Sequence, residues 1–341
     1  MAIGRSFCVL LCVGLYACKH QPPVDRRAAN ELPARADLVF RGSCDASGAV
    51  ALEAQRFAVA DDEDNILRVY DARAPGAPLS ASDLTQALGL LGAGGAKEAD
   101  LEAGTRLGDR ALWLTSHGRN SRGERKPSRM RFFATSMPRR GEAAELFGQP
   151  YESLLSDLIG SPELARFQLE KAAALAPKSP GGLNIEGLSA RHDQRSVFIG
   201  FRNPVPQGRA LLVPVYNPLS VVHGQRPELG PATLLDLGGL GIRAIALWRD
   251  QYLIIAGVAI NYEDDARDSR LFRWDGEHAP EPLHVDLHDF NAEALVPFDS
   301  EERVLVLSDD GERAVDGSPC KELRDPARKS FRGRWAQLPA R

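Results

Sequence analysis

The stretch "ADLEAG" at 99–104 returns as "LNIEGL" at 183–188 and as "FNAEAL" at 290–295. Each sets a glutamate, Glu102, Glu186 or Glu293, among apolar neighbours in a segment that reads as a β-strand. Burying a carboxylate costs several kcal/mol unless a partner satisfies it. A chain that repeats the placement must therefore fold so that the repeats answer for one another.

The echo extends over longer segments. "GAVALEAQRFAVADDEDN", "ADLEAGTRLGDRALWLTSHG", "LNIEGLSARHDQRSVFIGFRN", "GIRAIALWRDQYLIIAG" and "NAEALVPFDSEERVLVLSDDG" share one layout. A short apolar strand leads through a polar turn into a second strand rich in Val, Ile, Leu, Phe or Trp. Glu102 to Ser116 and Arg243 to Gly257 each span 14 residues, and Glu293 to Ser308 spans 15. The anchors Asp45, Glu102, Glu186, Arg243 and Glu293 are 57, 84, 57 and 50 residues apart. Units of this length built from short strands are the signature of propeller blades.

"ILRVYDA", "RMRFFAT", "ALLVPVYN" and "RLFRWDG" read as third strands, and "TLLDLG" and "PLHVDLH" as fourth ones. The last unit has a third strand, "SFRGRWAQL", and no fourth. "ADLVFRG" at 36–42 has no other partner and is expected to close the ring, removing an open sheet edge. The fold class is therefore all-β: a β-propeller of five four-stranded blades, a sixth, degenerate blade being left open, with the N-terminal strand closing the ring. The long interval between the second and third units carries apolar residues at helical spacing in "QPYESLLSDLIG" and "SPELARFQLEKAAALAPKSP". Ser161 as N-cap, Pro162 at the first helical position and Pro177 as terminator define a two-helix insertion at about 145–177.

The N-terminus pairs an early positive charge, Arg5, with an apolar run too short to span a bilayer. The junction Leu15-Tyr16-Ala17-Cys18 is similar to a bacterial lipoprotein signal. Residues 1–17 are expected to be the signal peptide, Cys18 the lipidated cysteine, 18–35 a flexible tether, and 36–341 the propeller domain. An ordinary secretory signal is the alternative; both export the protein. Lys19 after the cysteine resembles the pattern of outer-membrane lipoproteins facing the periplasm. Of five cysteines, Cys44 and Cys320 remain in the folded part. In an oxidising compartment they are expected to form a disulfide, two separate buried thiols being the alternative.

A formal net charge of −4 does not suggest a nucleic-acid binder. The basic run "RGERKPSRMRF" at 122–132 reads as a solvated loop entering a strand. No nucleophile elbow, phosphate loop, CxxC or HExxH is present.

In a propeller the first strand of each blade lines the axis, so Glu102, Glu186 and Glu293 should converge there, with Arg243 at the matching place in the fourth unit. With Arg202 and His117 these residues form the expected ligand-binding rim. Asp61, Glu63, Glu102, Glu186, Glu293 and Asp309 form the expected metal set, with calcium or another divalent cation as the cofactor. For each glutamate taken alone the alternative is structural, accepting backbone bonds between blades.

"FAVADDEDNILRVY", "LWLTSHGRN", "GGLNIEGLSA", "FIGFRNPVPQGRALLVPV", "FNAEALVPF" and "LVLSDDG" occur in order. In this the chain resembles a bacterial family catalogued as domain of unknown function 3616, over about 38–338. The resemblance implies a propeller-type fold and carries over no catalytic residue. A weaker likeness, through the "EGL" and "EAL" elements, is to phytase-like exported propellers. The leading expectation is an exported, lipid-anchored, monomeric propeller that binds a cation or small polar ligand at an acidic central channel. The alternatives are a metal-assisted phosphoester, ester or lactone hydrolase and a scaffold for an envelope protein.

Overall fold

The computed structural model describes Met1 and residues 37–260 and 269–338. The expected signal peptide, Cys18 and the tether lie outside them. Among the described residues no helix is long and apolar enough to cross a membrane.

Five four-stranded antiparallel sheets form the blades. From the axis outward, blade one runs Gly48–Ala51, Arg56–Ala60, Ile66–Asp71 and Ser80–Asp83. Blade two runs Leu101–Leu107, Arg110–Thr115, Phe132–Ser136 and Leu146–Tyr151. Blade three runs Asn184–Ala190, Val197–Asn203, Ala210–Val215 and Thr233–Leu235. Blade four runs Gly241–Trp248, Gln251–Gly257, Arg270–Trp274 and Glu281–Leu283. The inner strands touch in cyclic order, one to two through five and back to one.

Burial follows from this stacking. A second strand is covered on both faces by neighbouring blades, so Val197–Asn203 and Gln251–Gly257 are buried at every position. Such strands read as continuous apolar runs rather than as alternating ones. Outer strands such as Ser80–Asp83 and Glu281–Leu283 are short and half exposed, which limits edge pairing with other chains.

Blade five closes the ring as expected: Ala292–Val296, Arg303–Ser308 and Ser330–Gln337, with Leu38–Arg41 as the outermost strand. Phe40 lies opposite Phe331 in the register. Phe40, Phe57, Tyr70 and Phe331 pack with ring centroids 5.1–5.7 Å apart, joining blades five and one by an aromatic cluster. Arg334 holds Asp37 through Nε, 2.7 Å from Oδ1. The disulfide Cys44–Cys320 spans 276 residues of sequence with Cα atoms 5.7 Å apart.

The insertion differs from its expectation in two ways. Leu146–Tyr151 is not helical; it is the outermost strand of blade two, paired with Phe132–Ser136. The helical part then breaks into the helix Leu154–Gly160, a 3-10 segment Pro162–Phe167 and the short helix Leu169–Ala173. Gln168, with a left-handed φ of 52°, makes the second break, and the Ser161 hydroxyl caps nothing. Tertiary packing sets this shape: Leu154, Leu158, Leu164 and Leu169 are buried in one cluster with strands of blades two and three.

Candidate functional site: an acidic cavity on the axis

Four inner strands share one irregularity. The register steps from Leu101↔Thr115 to Ala103↔Leu114, and from Ile185↔Phe201 to Gly187↔Gly200. It also steps from Ile242↔Ala256 to Ala244↔Ile255, and from Ala292↔Ser308 to Ala294↔Leu307. The residues stepped over are Glu102, Glu186, Arg243 and Glu293. A β-bulge leaves one residue outside the ladder and re-aims its side chain, which is how a charged residue sits in an apolar strand. Blade one runs unbroken from Gly48↔Ala60 to Ala51↔Phe57. Its charge, Asp45, comes from the loop before the strand.

All five of these residues line one cavity of about 750 Å3, together with Asp62, Glu63, Asp100, Arg202 and Asp309. Two glycines make room for the arginines. Gly241 faces Gly257 in the register. A Cβ on Gly241 would lie 1.9 Å from the Arg202 carbonyl oxygen, and one on Gly257 would lie 2.6 Å from Arg243 Cδ.

Hydrogen bonds tie the ring into a chain. Asn184 Nδ2 and Arg202 Nη1 donate to Glu186 Oε1 at 2.6 and 2.8 Å. Arg243 Nη2 donates to Glu293 Oε1 at 2.5 Å and its Nη1 to Asn291 Oδ1 at 2.7 Å. Asn291 Nδ2 passes the chain to Asp309 Oδ2 at 2.9 Å. Asn184 and Asn291 are site residues that the sequence reading missed. The signal for them was present, since each precedes its bulged glutamate by two residues, as Asp100 precedes Glu102.

The glutamates are not equally satisfied. Glu102 is 7% exposed, and no group among the described residues donates a hydrogen bond to it. Glu186 Oε2 is buried without a donor among the described residues, with Arg243 Nε 3.7 Å away. Oxygens of Glu102, Glu186 and Glu293 lie within 4.8 Å of one another, as do those of Asp45, Glu293 and Asp309. Unit charges at that separation repel by about 3 kcal/mol at an effective dielectric near 20.

The protonation equilibria reflect this crowding. Burial, then the charges of Glu186, Asp100 and Asp62, hold the Glu102 carboxyl well above its usual range. Burial followed by Asp309 does the same to Asp45. Burial followed by Glu293 pushes Asp309 up to about 6, and burial pushes Asp100 to about 7 against the pull of Arg129. Arg243 is raised despite its burial because Glu293 and Glu186 flank it.

Two expected residues fall elsewhere. His117 is fully buried and does not line the cavity. The chain turns there at a left-handed φ of 55°, and its Nδ1 sits 2.8 Å from the Thr115 carbonyl. Burial lowers its pKa to about 4, so it is neutral and outside the rim. Asp61 also does not line the cavity; it accepts from Ser43 Oγ and from the Glu63 amide. Its neighbour Asp62 faces the cavity instead, because successive residues leaving a strand point to opposite sides. Glu63 is exposed at the mouth.

Fold and site together define a five-bladed β-propeller with an acidic cavity at one end of its axis. The chain belongs to the family described as protein of unknown function DUF3616, whose model matches residues 124–304. No curated protein matches the sequence. Among solved structures, the PQQ-bound aldose sugar dehydrogenase of Streptomyces coelicolor is 12% identical, with a TM-score of 0.41, covering 88% of this chain and 96% of that one. Myxococcus xanthus glutaminyl cyclase is 12% identical with a TM-score of 0.40, covering 89% and 95%. Kuenenia stuttgartiensis hydrazine synthase is 8% identical with a TM-score of 0.36; the match covers 77% of this chain and 64% of that one. Likeness at this level says nothing of chemistry, and the propeller assignment rests on the order of the sheets.

Proposed function

We propose that this protein is a divalent-cation-binding propeller, with calcium the best-suited ion, held on the axis by Glu102, Glu186 and Glu293. The observation that carries the reading is Glu102: a buried carboxylate that receives no hydrogen bond from the described residues and is packed against two others. Three oxygens within 4.8 Å of one another allow an ion within about 2.8 Å of all three, and small side-chain rotations close that to 2.3–2.6 Å. Among the described residues the cavity offers oxygen ligands only; Cys44, which lines it, is tied in the disulfide. Oxygen-only sets favour calcium, magnesium or manganese over softer metals. The hydrolase and scaffold readings each add a substrate or partner for which no feature of the cavity selects a chemistry.

Melting of the full-length protein in calcium and in chelator tests this. At an ion concentration 100 times Kd the expected gain is about 2.7 kcal/mol, or about 4 °C for some 300 folded residues. The sign of its pH dependence follows from the raised carboxyls. Their folded pKa values exceed the unfolded ones near 4, so their favourable contribution is complete below that value. For Asp309 and Asp100 it is lost as pH rises through about 6 and about 7, where these two ionise. An ion offsets that loss, so the calcium increment should grow between pH 5 and pH 7.5. A melting temperature indifferent to both calcium and chelator at pH 7.5 would remove the cation from the account.

The disulfide supports export to an oxidising compartment, and the proposal includes anchoring through Cys18 as an outer-membrane lipoprotein. Labelled palmitate should enter the wild-type protein and not Cys18→Ala. Equal labelling of the two would refute the anchor.

A further inference from the structure

Resting on the cation reading, the ion pairs around the cavity point to a second metal. Arg202 pairs with Glu186 at 2.8 Å, Arg243 with Glu293 at 2.5 Å and Arg129 with Asp100 at 2.9 Å. Lys321 pairs with Glu312 at the mouth. Asp45, Asp62, Glu102 and Asp309 line the same cavity, and none of the four has an ion-pair partner there among the described residues.

These carboxylates fall into two neighbouring groups. Glu102 sits with Glu186 and Glu293, while Asp45 and Asp309 sit with Glu293 alone, the oxygens of each group lying within 4.8 Å of one another. Glu293 belongs to both. Its hydrogen bond from Arg243 uses one of about four acceptor positions on a carboxylate, so further ligation is open to it. Asp45 is 5% exposed. Beside it, Asp62 carries a buried Oδ1 that receives no hydrogen bond.

We propose that the cavity binds two divalent cations, an inner one on Glu102, Glu186 and Glu293 and an outer one on Asp45 and Asp309, with Glu293 bridging them. The cavity lining carries nine carboxylates against five cations, Glu63 and Lys178 included, so two divalent ions leave no net charge. A single ion leaves two negative charges beside the buried Asp45 and Glu102, where unpaired charge is costly. The competing way to neutralise the outer group is a proton held between Asp45 and Asp309, and that arrangement takes up one ion only.

Equilibrium dialysis of the full-length protein against radioactive Ca2+ at pH 7.5 separates these cases. The expected stoichiometry is two per chain for wild type, and one each for Glu102→Gln and Asp45→Asn. Glu293→Gln should weaken both ions at least tenfold. One Ca2+ per wild-type chain overturns the second site and leaves the proposed function standing; none overturns both. Manganese paramagnetic resonance on the wild type supplies a readout that needs no variant. The first equivalent of Mn2+ should give a six-line spectrum, and the second should broaden it by coupling across the shared carboxylate. A second equivalent that leaves the first spectrum unchanged contradicts the bridge.

Discussion

Replacing Arg243 by methionine should destabilise the protein by about 3–5 kcal/mol in chelator, the usual loss when one partner of a buried ion pair is removed. Arg243 is 4% exposed and serves Glu293 and Asn291 directly, with Glu186 beside it. Methionine fills much of the arginine stem, so the cost falls on the charge and its hydrogen bonds rather than on a cavity. Glu293 and Glu186, 6% and 2% exposed, would then face each other and Glu102 with one cation fewer. Added calcium should recover part of the loss, and more than it adds to the wild type, since the ion replaces the missing positive charge. Denaturant titrations with and without calcium measure both effects. A variant within 1 kcal/mol of wild type in chelator would show that the ring is not held by this pairing.

The second large effect is expected from Cys44→Ser combined with Cys320→Ser. The bridge closes a loop of 276 residues, for which the chain-entropy argument gives about 5.6 kcal/mol as an upper figure. For some 300 folded residues that corresponds to a fall of about 9 °C in melting temperature. The pairing of Leu38–Arg41 with Ser330–Gln337 and the Asp37–Arg334 bond close the ring independently, so folding itself should survive. The site should feel the loss more sharply. The Cys44 carbonyl accepts the Asp310 amide at 2.9 Å, which couples the loop carrying Asp45 to the loop carrying Asp309. The double variant should therefore also lose most of its calcium-induced stabilisation. Melting within 2 °C of wild type, with the calcium increment intact, would show that the bridge supports neither the ring nor the site.

What the sequence disclosed follows from where each strand lies. The second and third strands of blade three are buried at every position, so "SVFIGF" and "ALLVPV" announce themselves by continuous hydrophobicity. Outer strands face solvent, and "SASD" at 80–83 carries no such signal. "LFGQPY" at 146–151 was masked by the helical spacing that follows it. The break at Gln168 was hidden because packing of Leu164 and Leu169 overrides a continuous helical pattern. The glutamates were legible as a set because their repetition is a matter of spacing. Their bulges were not, since a bulge is a difference in register between two strands and appears only once both are placed. The same limit explains His117: its distance along the second strand matched the rim, but a left-handed turn took it into the interior. Asp62 replaced Asp61 for a related reason, because spacing locates a strand exit without saying which side chain faces the axis.

The central claim is that the axial carboxylates hold a cation, and a crystal grown with Mn2+ tests it most directly through its anomalous difference map. The account predicts a peak within about 2.0–2.6 Å of carboxylate oxygens from Glu102, Glu186 and Glu293. An ordered cavity with no anomalous peak, and with Glu102 hydrogen-bonded as a neutral acid to protein or water, would contradict it.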